Sequence, residues 1–189
     1  VDFAIERRGL EAAFTPGRLA VVPPGRLSGA VTHEGARRFL TGVGLPVVSG
    51  FLYEPEDALT CGLPDADEFE PEFDTLTDLP ETAASWVALG FCHGDTLFLD
   101  GTTGLVWALP QGEVCADVAN GGVDRLARFL ADLFAEWDAF DEGTPRAARE
   151  AAAGRLRAAF AAVDAVATGH PGTLWNRILD GLVLAPSAS

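Results

Sequence analysis

Apolar and polar positions alternate most regularly between Trp86 and Val118. Four β-rich runs, Trp86 to Phe91, Thr96 to Asp100, Leu105 to Leu109 and Val114 to Val118, are separated by His93-Gly94-Asp95, Gly101-Thr102-Thr103-Gly104 and Pro110-Gln111-Gly112. Such clusters close tight turns, and a repeat of roughly 9–10 residues per strand and turn predicts an antiparallel meander. Alternation places Trp107 on the opposite face from Val106 and Ala108. That position suits either a core filler or an exposed anchor on a binding face, with core favoured by the high mean burial of Trp.

After the meander the period changes from two to 3.6. Val123, Leu126, Leu130, Leu133, Phe134 and Trp137 form one stripe and predict a helix from about Val123 to Phe140. Thr144 as cap and Pro145 at the first position open a second helix, with Leu156, Phe160, Val163 and Val166 inward. Gly169 to Gly172 end it, and a third carries Trp175, Ile178, Leu179 and Leu182. Ahead of the meander the pattern is less regular. Arg18 to Val22 reads as a short strand stopped by Pro23-Pro24, and Val47 to Tyr53 as another. Between them Thr32 caps a helix running to about Thr41, with Ala36, Phe39, Leu40 and Val43 on its apolar side. Strands followed by helices predict an α+β fold: an antiparallel meander sheet with helices packed on one face. No repeat or linker divides the chain, so a single domain over residues 1–189 is expected, with 1–17 and 185–189 loosely ordered.

Charge changes this picture in one place. No basic residue lies between Arg38 and Arg125, and Phe39 to Asp124 holds 16 of the 28 acidic residues. All 13 basic residues of the chain are arginines in the flanks. Within Glu54 to Glu81, Asp65, Asp67, Glu68, Glu70, Glu72 and Asp74 follow one another closely, with Phe69 and Phe73 spaced to anchor the segment. A field of one sign steers a partner of the opposite sign, so these carboxylates are candidates for binding a basic protein, with Trp107 as a candidate anchor. A solubility role is the plainer alternative. Direct binding to nucleic acid is disfavoured, because phosphate contacts need Lys and Arg.

Little else points to chemistry. Cys92-His93 cannot readily act as nucleophile and base, since neighbours on a strand face opposite ways. Cys61, Cys92 and Cys115 are an odd set without CxxC spacing and are expected as buried free thiols. His33 and His170 belong to no spaced His/Cys cluster, so zinc is not expected. The acidic run lacks the central Gly of a calcium loop, and Phe69 and Pro71 interrupt it. No Lys exists to reach a phosphate, Gly101-Thr102-Thr103-Gly104 lies between two strands, and Gly121-Gly122 before the helix at Val123 could expose helix N-terminal N–H groups but reads as a tight strand-to-helix connection, so no phosphate cradle is expected. No cofactor is expected. Asp95 and Asp100 flank one strand, where turn chemistry accounts for both, although a paired-carboxylate site remains an alternative. No apolar run approaches a membrane span, and the charged start Val1 to Gly9 carries no apolar signal region. Val1 in place of Met implies that the numbering omits residues. A soluble, cytoplasmic protein is expected.

Several motifs also occur in a recognisable order. Leu89-Gly90, Gly94 to Asp100, Thr103-Gly104-Leu105-Val106, Val118-Ala119-Asn120 and Phe129-Leu130 are preceded by His33, Arg38-Phe39-Leu40 and Val43-Gly44-Leu45-Pro46. Trp175 to Leu179 follow. Together they resemble the SUKH superfamily of immunity proteins, and within it the fourth immunity subfamily, common in Streptomyces-type bacteria. The resemblance spans roughly Leu19 to Leu182. It implies an α+β fold, no catalysis, and neutralisation of a polymorphic toxin, often a nuclease or deaminase, by direct binding. It aligns no motif with Glu54–Glu81 and supplies no catalytic residues. A basic, nucleic-acid-acting toxin domain is therefore the expected partner. A regulatory or scaffolding adaptor and a small hydrolase or transferase are the alternatives, and the oligomeric state is left open.

Overall fold

The computed structural model describes residues 2–55, 59, 61–70 and 73–184. Its centre is a five-stranded antiparallel meander in the order β3 (Tyr53–Pro55), β4 (Trp86–Cys92), β5 (Asp95–Asp100), β6 (Val106–Leu109) and β7 (Asp117–Asn120). The two short strands β1 (Leu19–Ala20) and β2 (Leu45–Pro46) pair separately. Helices α1 (Arg7–Phe14), α2 (Glu34–Gly42), α4 (Val123–Ala135), α5 (Arg146–Val163) and α6 (Leu174–Leu184) accompany them, and the single turn α3 (Ala66–Phe69) lies in the acidic segment. The fold is α+β, as the pattern predicts. No helix of the described residues is long and apolar enough to cross a membrane.

Every residue of β5 is buried, so the sheet is covered on both sides. On the inner face Val87, Leu89, Leu97, Leu99, Val106, Ala108 and Ala119 join a core that reaches from Leu10 of α1 to Leu179 of α6. Phe129, Phe160 and Trp175 bring α4, α5 and α6 together at its centre, the first two stacked with centroids 3.9 Å apart. On the outer face Trp86, Ala88, Phe98 and Leu109 form a smaller cluster under Ala66, Phe73 and Ala83. Ala66 and Phe73 of that cover come from the acidic segment, and Ala83 from the 3-10 turn Glu81–Ser85 that follows it.

Several boundaries differ from the expected ones. Residues Val47 to Leu52 are not a strand: Gly50 turns the chain at φ 75°, and pairing with β4 begins at Tyr53. The last strand is not Val114–Val118 but β7, because the Val114 carbonyl accepts from the Thr77 amide and so leaves the sheet. The α2 cap is His33, whose Nδ1 accepts from the Ala36 amide at 3.2 Å. Thr32 instead donates, with the His33 amide, to the Gly101 carbonyl. The turn Gly101–Gly104 approaches so closely that a Cβ on Gly104 would sit 2.3 Å from His33 Nδ1. Helix α5 begins after Pro145, one position later than Thr144 would have it. The helix after the meander ends at Ala135, and Trp137–Phe140 continue as a 3-10 turn. Within the segment expected to be loosely held, α1 buries Leu10 and Phe14, the latter 4.7 Å from Phe134. The closing residues 185–189 lie outside the described residues.

Candidate partner-binding face

The acidic segment is fastened across the outer face by backbone and aromatic contacts. Asp65 forms an antiparallel bridge with Val87, and the Ala88 amide donates to the Pro64 carbonyl at 2.9 Å. This pairing occupies part of the β4 edge, which would otherwise be open to another strand. Ala66 goes under, and α3 follows. Phe69 reaches Phe91 at 5.4 Å, and Phe73 packs edge-on against Trp86 at 6.0 Å and Phe98 at 5.8 Å. Both phenylalanines therefore act as the spacing predicts, holding a polar segment to an apolar floor. Trp86 stacks on Trp107 at 5.0 Å, across the strand between them. The indole N–H groups of both tryptophans are buried without a hydrogen-bond partner among the described residues.

The candidate side chains divide into two places. Asp65, Asp67 and Asp74 are exposed and line one cavity of about 330 Å³, walled by Phe73, Ala83 and Trp86. Glu70 is half-buried and lines a separate groove. Glu68 is exposed on α3 and lines neither, and its amide donates to Asp67 Oδ1 at 3.1 Å and to the Asp65 carbonyl at 3.2 Å. Glu72 lies outside the described residues. Trp107 is half-buried on the same face, supporting Trp86. It packs against the outer cluster and keeps part of its surface toward solvent.

Among the described residues none of Asp65, Asp67, Glu68, Glu70 and Asp74 has an ion-pair partner; the ion pairs lie elsewhere. Ser28 Oγ donates to Asp65 Oδ1 at 3.2 Å, a neutral contact that leaves the charge uncompensated. Three carboxylates around one cavity can accept hydrogen bonds from a guanidinium or ammonium group.

The residues considered for catalysis are engaged within the fold. Arg177 of α6 grips Asp95 with both terminal nitrogens, one of them 3.3 Å from Oδ1. Asp100 Oδ1 accepts from the Thr102 and Thr103 amides, each at 2.9 Å, and Oδ2 accepts from Thr82 Oγ1. Burial pushes the Asp100 carboxyl up, but the hydrogen bonds from Thr82, Thr103 and Thr102 together outweigh it and hold it below its ordinary value. Cys92 is fully buried, and burial with the nearby Asp95 carboxylate pushes its thiol well up, away from a reactive thiolate. His93 is exposed in the β4–β5 turn at φ 54°. Among the described residues no cluster of His, Cys, Asp or Glu is arranged to hold a metal.

Two of the three cysteines depart from expectation: Cys61 and Cys115 are exposed, and only Cys92 is buried. Both sit in loops, and Cys115 Sγ meets Thr77 Oγ1 at 3.1 Å.

The bulge in β4 is the feature alternation alone misreads. Register shifts between Ala88 and Gly90, with Gly90 at φ 116°. Strict alternation from Trp86 would turn Phe91 inward. The extra residue instead sends Phe91 outward and Cys92 into the core. The Leu89-Gly90 pair was the available signal, since Gly in a strand interior marks such sites.

The sequence matches the model described as SUKH-4 immunity protein over residues 5–181. No curated protein and no solved structure matches it. With a match covering nearly the whole chain and the α+β arrangement it implies, the chain belongs to the SUKH-4 immunity protein family.

Proposed function

We propose that this protein neutralises a toxin protein by binding it directly through the outer face of the sheet, without catalysis. The observation that carries the reading is the convergence of Asp65, Asp67 and Asp74 on one aromatic-walled cavity, none of them ion-paired among the described residues. The family match supports a toxin as partner. The absence of any basic residue from Phe39 to Asp124 supports a basic one, of the kind that acts on nucleic acid. A carboxylate-lined face would then occupy the surface that the toxin uses for phosphates.

The test is to reverse Asp65→Arg, Asp67→Arg and Asp74→Arg together and follow association with the purified cognate toxin domain. Association should slow at least about tenfold at low salt, and the steep salt dependence of the rate should flatten. The three side chains are exposed, so unfolding stability should stay within about 1 kcal/mol. Unchanged association by a folded variant would refute the assignment.

A further inference from the structure

We propose that the groove between the β4–β5 turn and the β6–β7 loop receives an apolar side chain presented by a basic segment of the partner protein. The proposal rests on the preceding reading that the outer face binds a basic protein, and it names where that partner's apolar anchor sits.

The groove has a volume of about 460 Å³, enough for a bulky side chain and its neighbouring backbone. Its apolar lining includes Leu76, Phe91, Leu109 and Val114, and its carboxylates are Glu70 and Glu113. Phe91 and Val114 are 40% and 48% exposed. They are two of the five large hydrophobic side chains exposed among the described residues, and the other three, Val47, Val166 and Leu184, do not line it. Scattered exposed apolar groups are ordinary, whereas two sharing one concave site indicate contact with a partner.

Both are held outward by specific backbone features. The β4 bulge turns Phe91 away from the core, and Tyr53 Oη supports that bulge by donating to the Leu89 carbonyl at 2.8 Å. Val114 leaves the sheet because its carbonyl accepts from Thr77. The occupant's chemistry follows from charge. Among the described residues no arginine lines the groove, and its ionisable residues are the two glutamates. A free apolar peptide would leave those carboxylates unanswered, while cations flanking an apolar residue would meet them. The cavity of Asp65, Asp67 and Asp74 on the same face extends this preference to further cations.

Two synthetic peptides of equal charge test it, acetyl-Arg-Arg-Leu-Arg-Arg-amide and the same peptide with Gly in place of Leu. Each is titrated into the full chain at low salt and followed by backbone amide shifts. The Leu peptide should bind about tenfold more tightly and shift Phe91 and Val114, the effect of partly burying one aliphatic side chain. The Phe91→Ser, Val114→Ser double variant should bind the two peptides equally. Equal binding by the unsubstituted protein overturns the groove while leaving the charge-based reading in place. If neither peptide binds, that reading fails and the groove fails with it.

Discussion

Tyr53 is the single tyrosine of the chain, and it stands at the junction of β3 with the β4 bulge. Its hydroxyl is fully buried and satisfies the Leu89 carbonyl. Burial, and secondarily the neighbouring Cys92, pushes the phenol well above its ordinary value. A raised folded-state pKa contributes stability that is complete below about pH 10, the unfolded value, and is lost as pH rises beyond it. The native protein should therefore show no tyrosinate absorbance at about pH 11, and the band should appear when denaturant is added. With one tyrosine the spectrum needs no deconvolution. Tyrosinate appearing while the circular dichroism stays native would contradict the buried donor. Tyr53→Phe keeps the ring but strands the Leu89 carbonyl, and should cost about 1–3 kcal/mol in denaturant unfolding.

At the scale of elements, a buried group of polar contacts joins α6 and the end of α5 to β7. Trp175 Nε1 of α6 donates to Asn120 Oδ1 at 3.0 Å, at the end of β7. Asn120 Nδ2 and the Gly121 amide both donate to Asp164 Oδ2, beyond α5. Arg125 approaches the other oxygen of Asp164 at 3.6 Å. Asn120→Leu would leave the indole N–H without its acceptor and remove one of the donors to Asp164. It should cost about 2–4 kcal/mol, with amide exchange protection falling first in α6 and β7. Uniform loss of protection throughout the fold would argue against a local junction. The elements meeting here were readable beforehand because their signals are local: 3.6-residue stripes for α4 and α6, turn residues for the meander. What was not readable depends on distant partners. Val114 looks like a strand residue until Thr77 takes its carbonyl, and Phe91 looks inward until the bulge is counted. The acidic residues were visible as a run in one segment. Their meeting with Trp86 of β4 was not, because it requires knowing that the segment lies across the sheet.

For the whole molecule, the separation of charge gives salt opposite effects on folding and on binding. The stretch Phe39 to Asp124 carries acids alone, of which Asp95 is held by Arg177, whereas other arginines of the flanks pair with acids of the flanks, as in Arg128–Asp132 and Arg155–Glu136. Screening relieves repulsion within the first group and weakens attraction within the second. Exposed ion pairs of this type contribute about 0–1 kcal/mol each, so a net charge of −15 favours repulsion as the larger quantity. Raising sodium chloride from about 0.01 M to about 0.5 M shortens the screening length from about 30 Å to under 10 Å. A gain of about 1 kcal/mol would raise Tm by about 2–4 °C for a chain of this size. Chloride is the appropriate salt, since sulfate would strengthen apolar burial and obscure the electrostatic part. The Asp65→Arg, Asp67→Arg, Asp74→Arg variant should show a smaller rise, because its acidic face has been partly neutralised. Binding to a basic partner should weaken over the same salt range. A Tm that fell with chloride would mean that the arginine pairs outweigh the repulsion, and that the acidic face is internally compensated instead of held open for a partner's charge.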